Sequence, residues 1–231
     1  MLIENIKKHL DGQGNANRSG DSLRASSAGK CARAIGYGVH GFKGEPLNWR
    51  ARLVFKMGDH VESDLVEIVK GYGLTDMQKE VVVTIDGTEI KGHIDGIYNE
   101  SVVDFKSTTT FGFKRAQQGD PGNYDRQLHF YMKALGLKRA LLVYYCKETS
   151  DLCELVVPWN DDTWAEVESR FRSVIQSTRD KLPNKEYGPN EKGALPWQCS
   201  YCSFVKTCWP EYELSFDGKG KPVLKVKKEG E

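Results

Sequence analysis

The chain has 231 residues, 39% hydrophobic and 28% charged, with a formal net charge of +1. That length can bury one sizeable core with a small appendage, while the near-zero charge excludes a global field that would draw in nucleic acid, so such contact needs a local basic groove or a bound metal. No apolar run is long enough to span a bilayer and Met1 to Lys8 lack a signal-peptide core, so the expectation is a cytoplasmic protein without a membrane partner, whose six cysteines are ligands or buried thiols rather than disulfides.

Leu2, Ile3, Ile6 and Leu10 predict a short amphipathic helix, and the Gly/Asn/Ser-rich stretch from Gly12 to Ser22 a flexible linker, so residues 1–22 form an N-terminal appendage. Ser26 or Ser27 offers an N-cap before a helix carrying Cys31 through about Val39. A second helix is expected from about Asn48 to Lys70, with Leu53, Met57, Val61, Leu65 and Ile68 at helical spacing and Gly71 and Gly73 as its stop. Strands follow at Glu80–Ile85, Glu89–Tyr98 and Ser101–Ser107, with Asp86-Gly87 and Asn99-Glu100 as tight turns. Phe111-Gly112-Phe113-Lys114-Arg115 reads equally as a charged surface loop or as an aromatic and basic segment tracking a DNA strand. A helix from Tyr124 to Leu135 stops at Gly136, strands follow at Ala140–Cys146 and Cys153–Val157, and a long helix runs from about Asp161 to Lys181. The main domain spans residues 23–210, and residues 211–231 read as a loose polar tail.

Residues two apart on a strand share a face, so Asp104 and Lys106 point one way while Phe105 points into the core; His93 and Asp95 likewise share a face. If the two strands pair, Asp95 and Asp104 converge on one cation beside the Lys106 ammonium. Hard divalent ions take oxygen ligands and activate water, and a lysine offsets the charge of a phosphate. An isolated D-x-K is more often alternating surface polarity. Its context here is His60 on the long helix and Gln127 and Tyr131 one turn apart on a later one. Glu62, two residues beyond His60, ranks below it; Glu80 is open as part of a second metal site; and His9, His40, His93 and His129 read as non-catalytic.

Cys199-x-x-Cys202-x₅-Cys208 brings three thiols into one short stretch, and Cys31 is the best fourth. Such a set suits tetrahedral zinc or an iron–sulfur cluster. Joining Cys31 to Cys199 closes a loop over most of the chain and restricts the unfolded state. Cys146 and Cys153 read as small core residues, and Trp197 and Trp209 as cover for a small satellite, though Trp197, Tyr201, Phe204 and Trp209 could also stack on single-stranded bases.

In order, helical His60, Asp95 in Gly-His-Ile-Asp-Gly, Asp104-Phe105-Lys106 and Gln127-Leu128-His129-Phe130-Tyr131 resemble the motifs of PD-(D/E)xK nucleases, in particular the RecB-like branch with Cas4 and phage-encoded exonucleases. The resemblance covers about Ser26 to Cys208. It implies an α/β fold, restriction-endonuclease-like, with a mixed central sheet flanked by helices, and a satellite built from both chain ends. It also implies a metal ligand set of His60, Asp95, Asp104 and the Phe105 carbonyl for Mg²⁺ or Mn²⁺, with Lys106 as catalytic lysine and Gln127 and Tyr131 positioning it and nearby DNA backbone. The segment around Cys31 resembles the early cysteine motif of Cas4-like and AddB-like nucleases, with Ala32 where a proline often stands. That likeness implies a [4Fe-4S] cluster on Cys31, Cys199, Cys202 and Cys208. The implied activity is exonucleolytic hydrolysis of single-stranded DNA or duplex ends in recombination, repair or processing, alongside a helicase, a recombinase or a CRISPR adaptation protein. The alternatives are a non-catalytic, cysteine-clasped DNA-binding subunit and a zinc-stabilised protein-interaction module.

Overall fold

A computed structural model of the chain describes residues 1–13, 22–216 and 222–226. Most of the expected linker, residues 14–21, and the end of the expected tail lie outside the described residues. The elements, in order, are α1 (Leu2–Asp11), a 3-10 turn (Ala25–Ser27), α2 (Ala32–Val39), α3 (Trp49–Lys70), β1 (Glu80–Ile85), β2 (Thr88–His93), β3 (Gly96–Tyr98), β4 (Ser101–Thr108), α4 (Thr110–Gln117), α5 (Tyr124–Leu135), β5 (Arg139–Cys146), β6 (Leu152–Pro158), α6 (Asp161–Ile175), α7 (Trp197–Ser200), α8 (Val205–Cys208), β7 (Tyr212–Phe216) and β8 (Pro222–Val226).

The central sheet has the order β3-β4-β5-β6, with β4 and β5 parallel and both outer pairs antiparallel. A parallel pair needs a crossover connection, which α4 and α5 supply. Strands at such a centre are covered on both faces and read as near-continuous apolar runs, as Val102-Val103 and Ala140-Leu141-Leu142 do here. Alternation divides β4: Val102 joins the large core with Leu128, Phe130, Leu142 and Phe171, while Val103 and Phe105 join Leu74 and Leu141 under Leu65, Val66 and Val69 of α3. Helices therefore cover both faces of a mixed sheet, as expected.

Turn chemistry explains the hairpins. Asp86 and Gly87 both have positive φ, as do Asn99 and Glu100, the geometry that lets a two-residue turn follow strand twist. The expected strand Glu89–Tyr98 is corrected: it breaks at Ile94 and Asp95, with β2 pairing β1 in a separate two-stranded sheet and β3 pairing β4. That hairpin packs through Val81, Val83, Ile85 and Ile90 into the large core.

Three further expectations are corrected. Phe111–Arg115 is helical, within α4, whose N-cap Thr109 accepts a hydrogen bond from the Gly112 amide. Helix α6 stops at Ile175 rather than near Lys181; Ser177 Oγ donates to the Val174 carbonyl, and Thr178 and Lys181 exchange backbone bonds in a turn. The stretch after Cys208 is not wholly a loose tail, because β7 and β8 pair antiparallel. Tyr212 buries against Leu195, Cys199 and Val205, with Cys202, Trp209, Leu214 and Leu224 around them. Phe204 stacks on Tyr37, ring centroids 5.3 Å apart, and the Glu45 amide donates to the Ser203 carbonyl, so the late segment rests on the early one. No helix among the described residues is long and apolar enough to cross a membrane.

Candidate active site

Asp95 sits at the break between β2 and β3, beside the register pair Gly96 and Val103, so it faces Asp104 of β4. Both carboxylates are buried and line a cavity of about 220 Å³ with Lys106, Gln127, Tyr131, Glu62 and Arg24. Ser26, Gln78, Gly92 and His93 complete its wall. Gly92 has a steric reason to be glycine: a Cβ there would lie 2.3 Å from the Ala25 Cβ and 2.8 Å from Tyr131 Cε1. The 3-10 turn and α5 can close on β2 only because nothing projects there.

The Phe105 amide donates to Asp95 Oδ2 at 2.7 Å. Burial, then the neighbouring Asp104 charge, push the Asp95 carboxyl up to about 8, against the opposing pull of Lys106 and the Phe105 N–H. Asp104 Oδ2 lies 2.5 Å from Lys106 Nζ. This buried ion pair is what holds that Asp104 oxygen, which has no other hydrogen-bond partner among the described residues. Burial alone would lower the Lys106 ammonium, but Asp104 and Asp95 outweigh it and hold the lysine charged above its ordinary range. Lys106 Nζ also donates to the Phe105 carbonyl at 3.2 Å. Gln127 Nε2 donates to Tyr131 Oη at 2.8 Å, and burial pushes the Tyr131 hydroxyl upward, with Asp104 adding to it.

The structure thus brings together Asp95, Asp104, Lys106, Gln127 and Tyr131, with the Phe105 carbonyl alongside. It does not bring His60 to them: His60 is exposed and is not among the cavity-lining residues, whereas Glu62 is. The cavity wall takes Glu62 and not His60, and the reason is helical phase. Residues two apart lie about 200° apart round a helix, and the face of α3 on the sheet carries Leu65, Val66 and Val69, with which Glu62, not His60, is aligned. Glu62 accepts from Gln78 Nε2 at 3.2 Å and adds to the upward push on Asp95. The sequence signal for Glu62 was its four-residue step from Gly58 and three-residue step to Leu65. Glu80 lies outside the cavity wall and pairs with Lys91 at 3.0 Å. His129 is buried and structural: its Nδ1 bonds the Asp125 carbonyl at 2.7 Å and its Nε2 accepts from the Asn160 amide at 3.0 Å.

Among the described residues no group of three or more His, Cys, Asp or Glu is arranged to hold a metal ion. The donor chemistry of the cavity nevertheless fits a hard divalent cation. Two buried carboxylates face each other, one kept protonated in the cation's absence, and Asp104 Oδ2 has only the Lys106 ammonium against it.

The four cysteines expected to act together lie on two segments that pack on one another, Cys31 before α2 and the other three in the late segment. Burial, then Cys202, Cys208 and Cys31, push the Cys199 thiol up to about 11, so the other three sulfurs lie within electrostatic range of it, though among the described residues they are not arranged as a metal centre. All six cysteines are unpaired by disulfides, Cys146 is fully buried and Cys153 half-buried against the core. The Cys31 segment is held by the Glu186 carboxylate, which accepts from the Ala32 amide at 2.5 Å and pairs with Arg170. Trp209 is half-buried under Lys185, but Trp197, expected to cover the satellite, is 59% exposed.

A model of the PD-(D/E)XK nuclease superfamily matches residues 18–209, which include every residue of the cavity and Cys31, Cys199, Cys202 and Cys208. No curated protein sequence matches the chain. The fold is similar to the crystal structure of SSO0001, with a TM-score of 0.53 at 17% identity over 90% of this chain and 93% of the other. It is also similar to an alkaline exonuclease (LHK-Exo) from Laribacter hongkongensis, with a TM-score of 0.44 at 17% identity over 52% and 66%. A phage related exonuclease from Haemophilus somnus 129PT gives 0.45 at 11% identity over 73% and 89%.

Proposed function

Because the chain belongs to the PD-(D/E)XK nuclease superfamily, we propose that it is a metal-dependent deoxyribonuclease that hydrolyses phosphodiester bonds of DNA ends or single strands, an exonuclease of the Cas4/RecB-like kind. The observation that carries this reading is the buried Asp95–Asp104 pair with the Lys106 ammonium against Asp104 in one cavity. Glu62, Asp95, Asp104 and the Phe105 carbonyl would hold Mg²⁺ or Mn²⁺. When bound, the cation supplies charge stabilisation to the phosphate and lowers the pKa of a water.

The chain's own residues do the rest. Lys106 offsets negative charge on the scissile phosphate and orients the attacking water. Gln127 fixes the Tyr131 hydroxyl, and that pair, with Arg24 at the wall, lines the path of the DNA backbone. Burial of Asp95 and Asp104 excludes competing water from the acids. The intact set of two acids and a lysine argues against a purely DNA-binding role.

The four cysteines would carry a structural [4Fe-4S] cluster, with zinc as the competing occupant, pinning the late segment to the early one. The protein would work in the cytoplasm on ends exposed by a partner such as a helicase, recombinase or CRISPR adaptation protein. The test is cleavage of end-labelled single-stranded DNA with Mn²⁺ or Mg²⁺ by wild type and Asp104→Ala. Undiminished cleavage by the variant would sink the site. Anaerobic purification of wild type and Cys199→Ser decides the clasp: iron and sulfide with a visible chromophore are expected in the first and lost in the second. Colourless wild-type protein carrying zinc would reject the cluster.

A further inference from the structure

Lys106 has two oxygen partners, Asp104 Oδ2 at 2.5 Å and the Phe105 carbonyl at 3.2 Å. Both are oxygens that a divalent cation takes in the reading above, on which this inference rests. A cation that occupies them removes the two attractive contacts of the ammonium and adds a repulsive charge next to it. Something else must keep the lysine at the site.

The side chain placed to do so is Tyr124. The Lys106 ammonium lies over its ring, 5.3 Å from the centroid. A ring face attracts a cation through its quadrupole, and no metal competes for that contact. The ring is also firmly seated although 39% exposed. Its edge meets Tyr144, ring centroids 6.3 Å apart, and the Tyr144 hydroxyl donates at 3.1 Å to the Pro121 carbonyl, which also accepts from the Tyr124 amide at 3.3 Å. Just before it, the Asn123 carbonyl rests on Gly29, where a Cβ would come within 2.5 Å. Helix α5 therefore begins at a fixed point, with Tyr124 beside the lysine and Gln127 and Tyr131 one and two turns on.

We propose that Tyr124 is the positioning residue for Lys106, holding the ammonium through its ring face once Asp104 and the Phe105 carbonyl are engaged by the cation. The contact uses the ring, not the hydroxyl, so Tyr124→Phe should serve and Tyr124→Leu, an apolar side chain without a π face, should not.

Two measurements test this. In Mn²⁺-dependent cleavage, Tyr124→Leu should lower kcat about 3- to 30-fold with little change in KM, while Tyr124→Phe stays within about twofold of wild type. Separately, in protein with ¹³C-labelled lysine, the Lys106 ε-methylene signal, assigned with Lys106→Arg, should show a ring-current displacement in wild type and Tyr124→Phe. The displacement should persist when Ca²⁺ is added and vanish in Tyr124→Leu. Equal rates for the leucine and phenylalanine variants, or an undisplaced signal in Ca²⁺-loaded wild type, would overturn the proposal. If the leucine variant melts early, Tyr124→Met replaces it. A wild type that cleaves nothing would reject the nuclease reading, and the resonance would still decide the contact.

Discussion

Replacing Asp95 with asparagine should make the metal-free protein more stable while abolishing cleavage, and the gain should depend on pH. Asp95 is held neutral up to about 8 by burial and by Asp104, whereas an unfolded chain ionises an aspartate near about 3.9. Between those values the folded state binds the extra proton, so stability is full below about 4, falls as pH rises and is lost through about 8. The gap sets a ceiling of about 5–6 kcal/mol. Sharing of the proton with Asp104 and local relaxation should leave about 1–3 kcal/mol. An asparagine there would keep the acceptor for the Phe105 amide and remove the charge, so the variant's stability escapes this slope. In EDTA, the melting temperature of Asp95→Asn should equal that of wild type near pH 4 and exceed it by about 3–10 °C above pH 8, given about 2–4 °C per kcal/mol for a chain of this size. Adding Mg²⁺ should raise wild type and leave the variant nearly unmoved. A difference that fails to grow between pH 5 and pH 8, or a variant less stable at pH 8, would refute the reasoning.

Glu62→Gln should reduce Mn²⁺-dependent cleavage about 100-fold or more while His60→Ala changes it little, since only Glu62 lines the cavity; comparable losses would return His60 to the ligand set. Because Asp95 must release its proton to bind a cation, Mn²⁺ affinity measured by calorimetry should rise between pH 6 and pH 8, by up to about tenfold per pH unit, and a flat profile would count against Asp95 as a ligand. Gly92→Ala should cost about 1–3 kcal/mol in urea melts because the added methyl meets Ala25 and Tyr131, and an unchanged midpoint would show that the turn can withdraw freely.

The strand alternation that put Asp104 and Lys106 on one face held because β4 is regular and pairs with β5 from Val102 to Thr108. Helix α5 was equally legible, closed by Gly136 at φ 69°. The break at Ile94 and Asp95 was not, since the alternating pattern runs through it and only pairing with two different partners divides the strand. Helix α3 was less legible for another reason: Leu53, Val54, Phe55 and Met57 are all exposed, so apolar spacing alone could not say which stripe meets the sheet, and the phase that puts Glu62 at the cavity wall was hidden. Polar strands β7 and β8 were invisible because what stabilises them is burial of Tyr212 against the cysteine segment, a tertiary contact no local pattern carries.

Ile94 and Asp95, which lie outside both ladders, have a consequence for durability. Asp95 is held between neighbours that belong to different ladders, His93 paired with Glu80 on one side and Gly96 paired with Val103 on the other. Sheets that do not share hydrogen bonds can open as separate units, each with its own free energy of local unfolding. Opening of either ladder would release one anchor of Asp95, and the large core that the hairpin shares with the central sheet is what opposes it. The working lifetime of the site under heat or denaturant should therefore follow the local stability of these two ladders on that shared core.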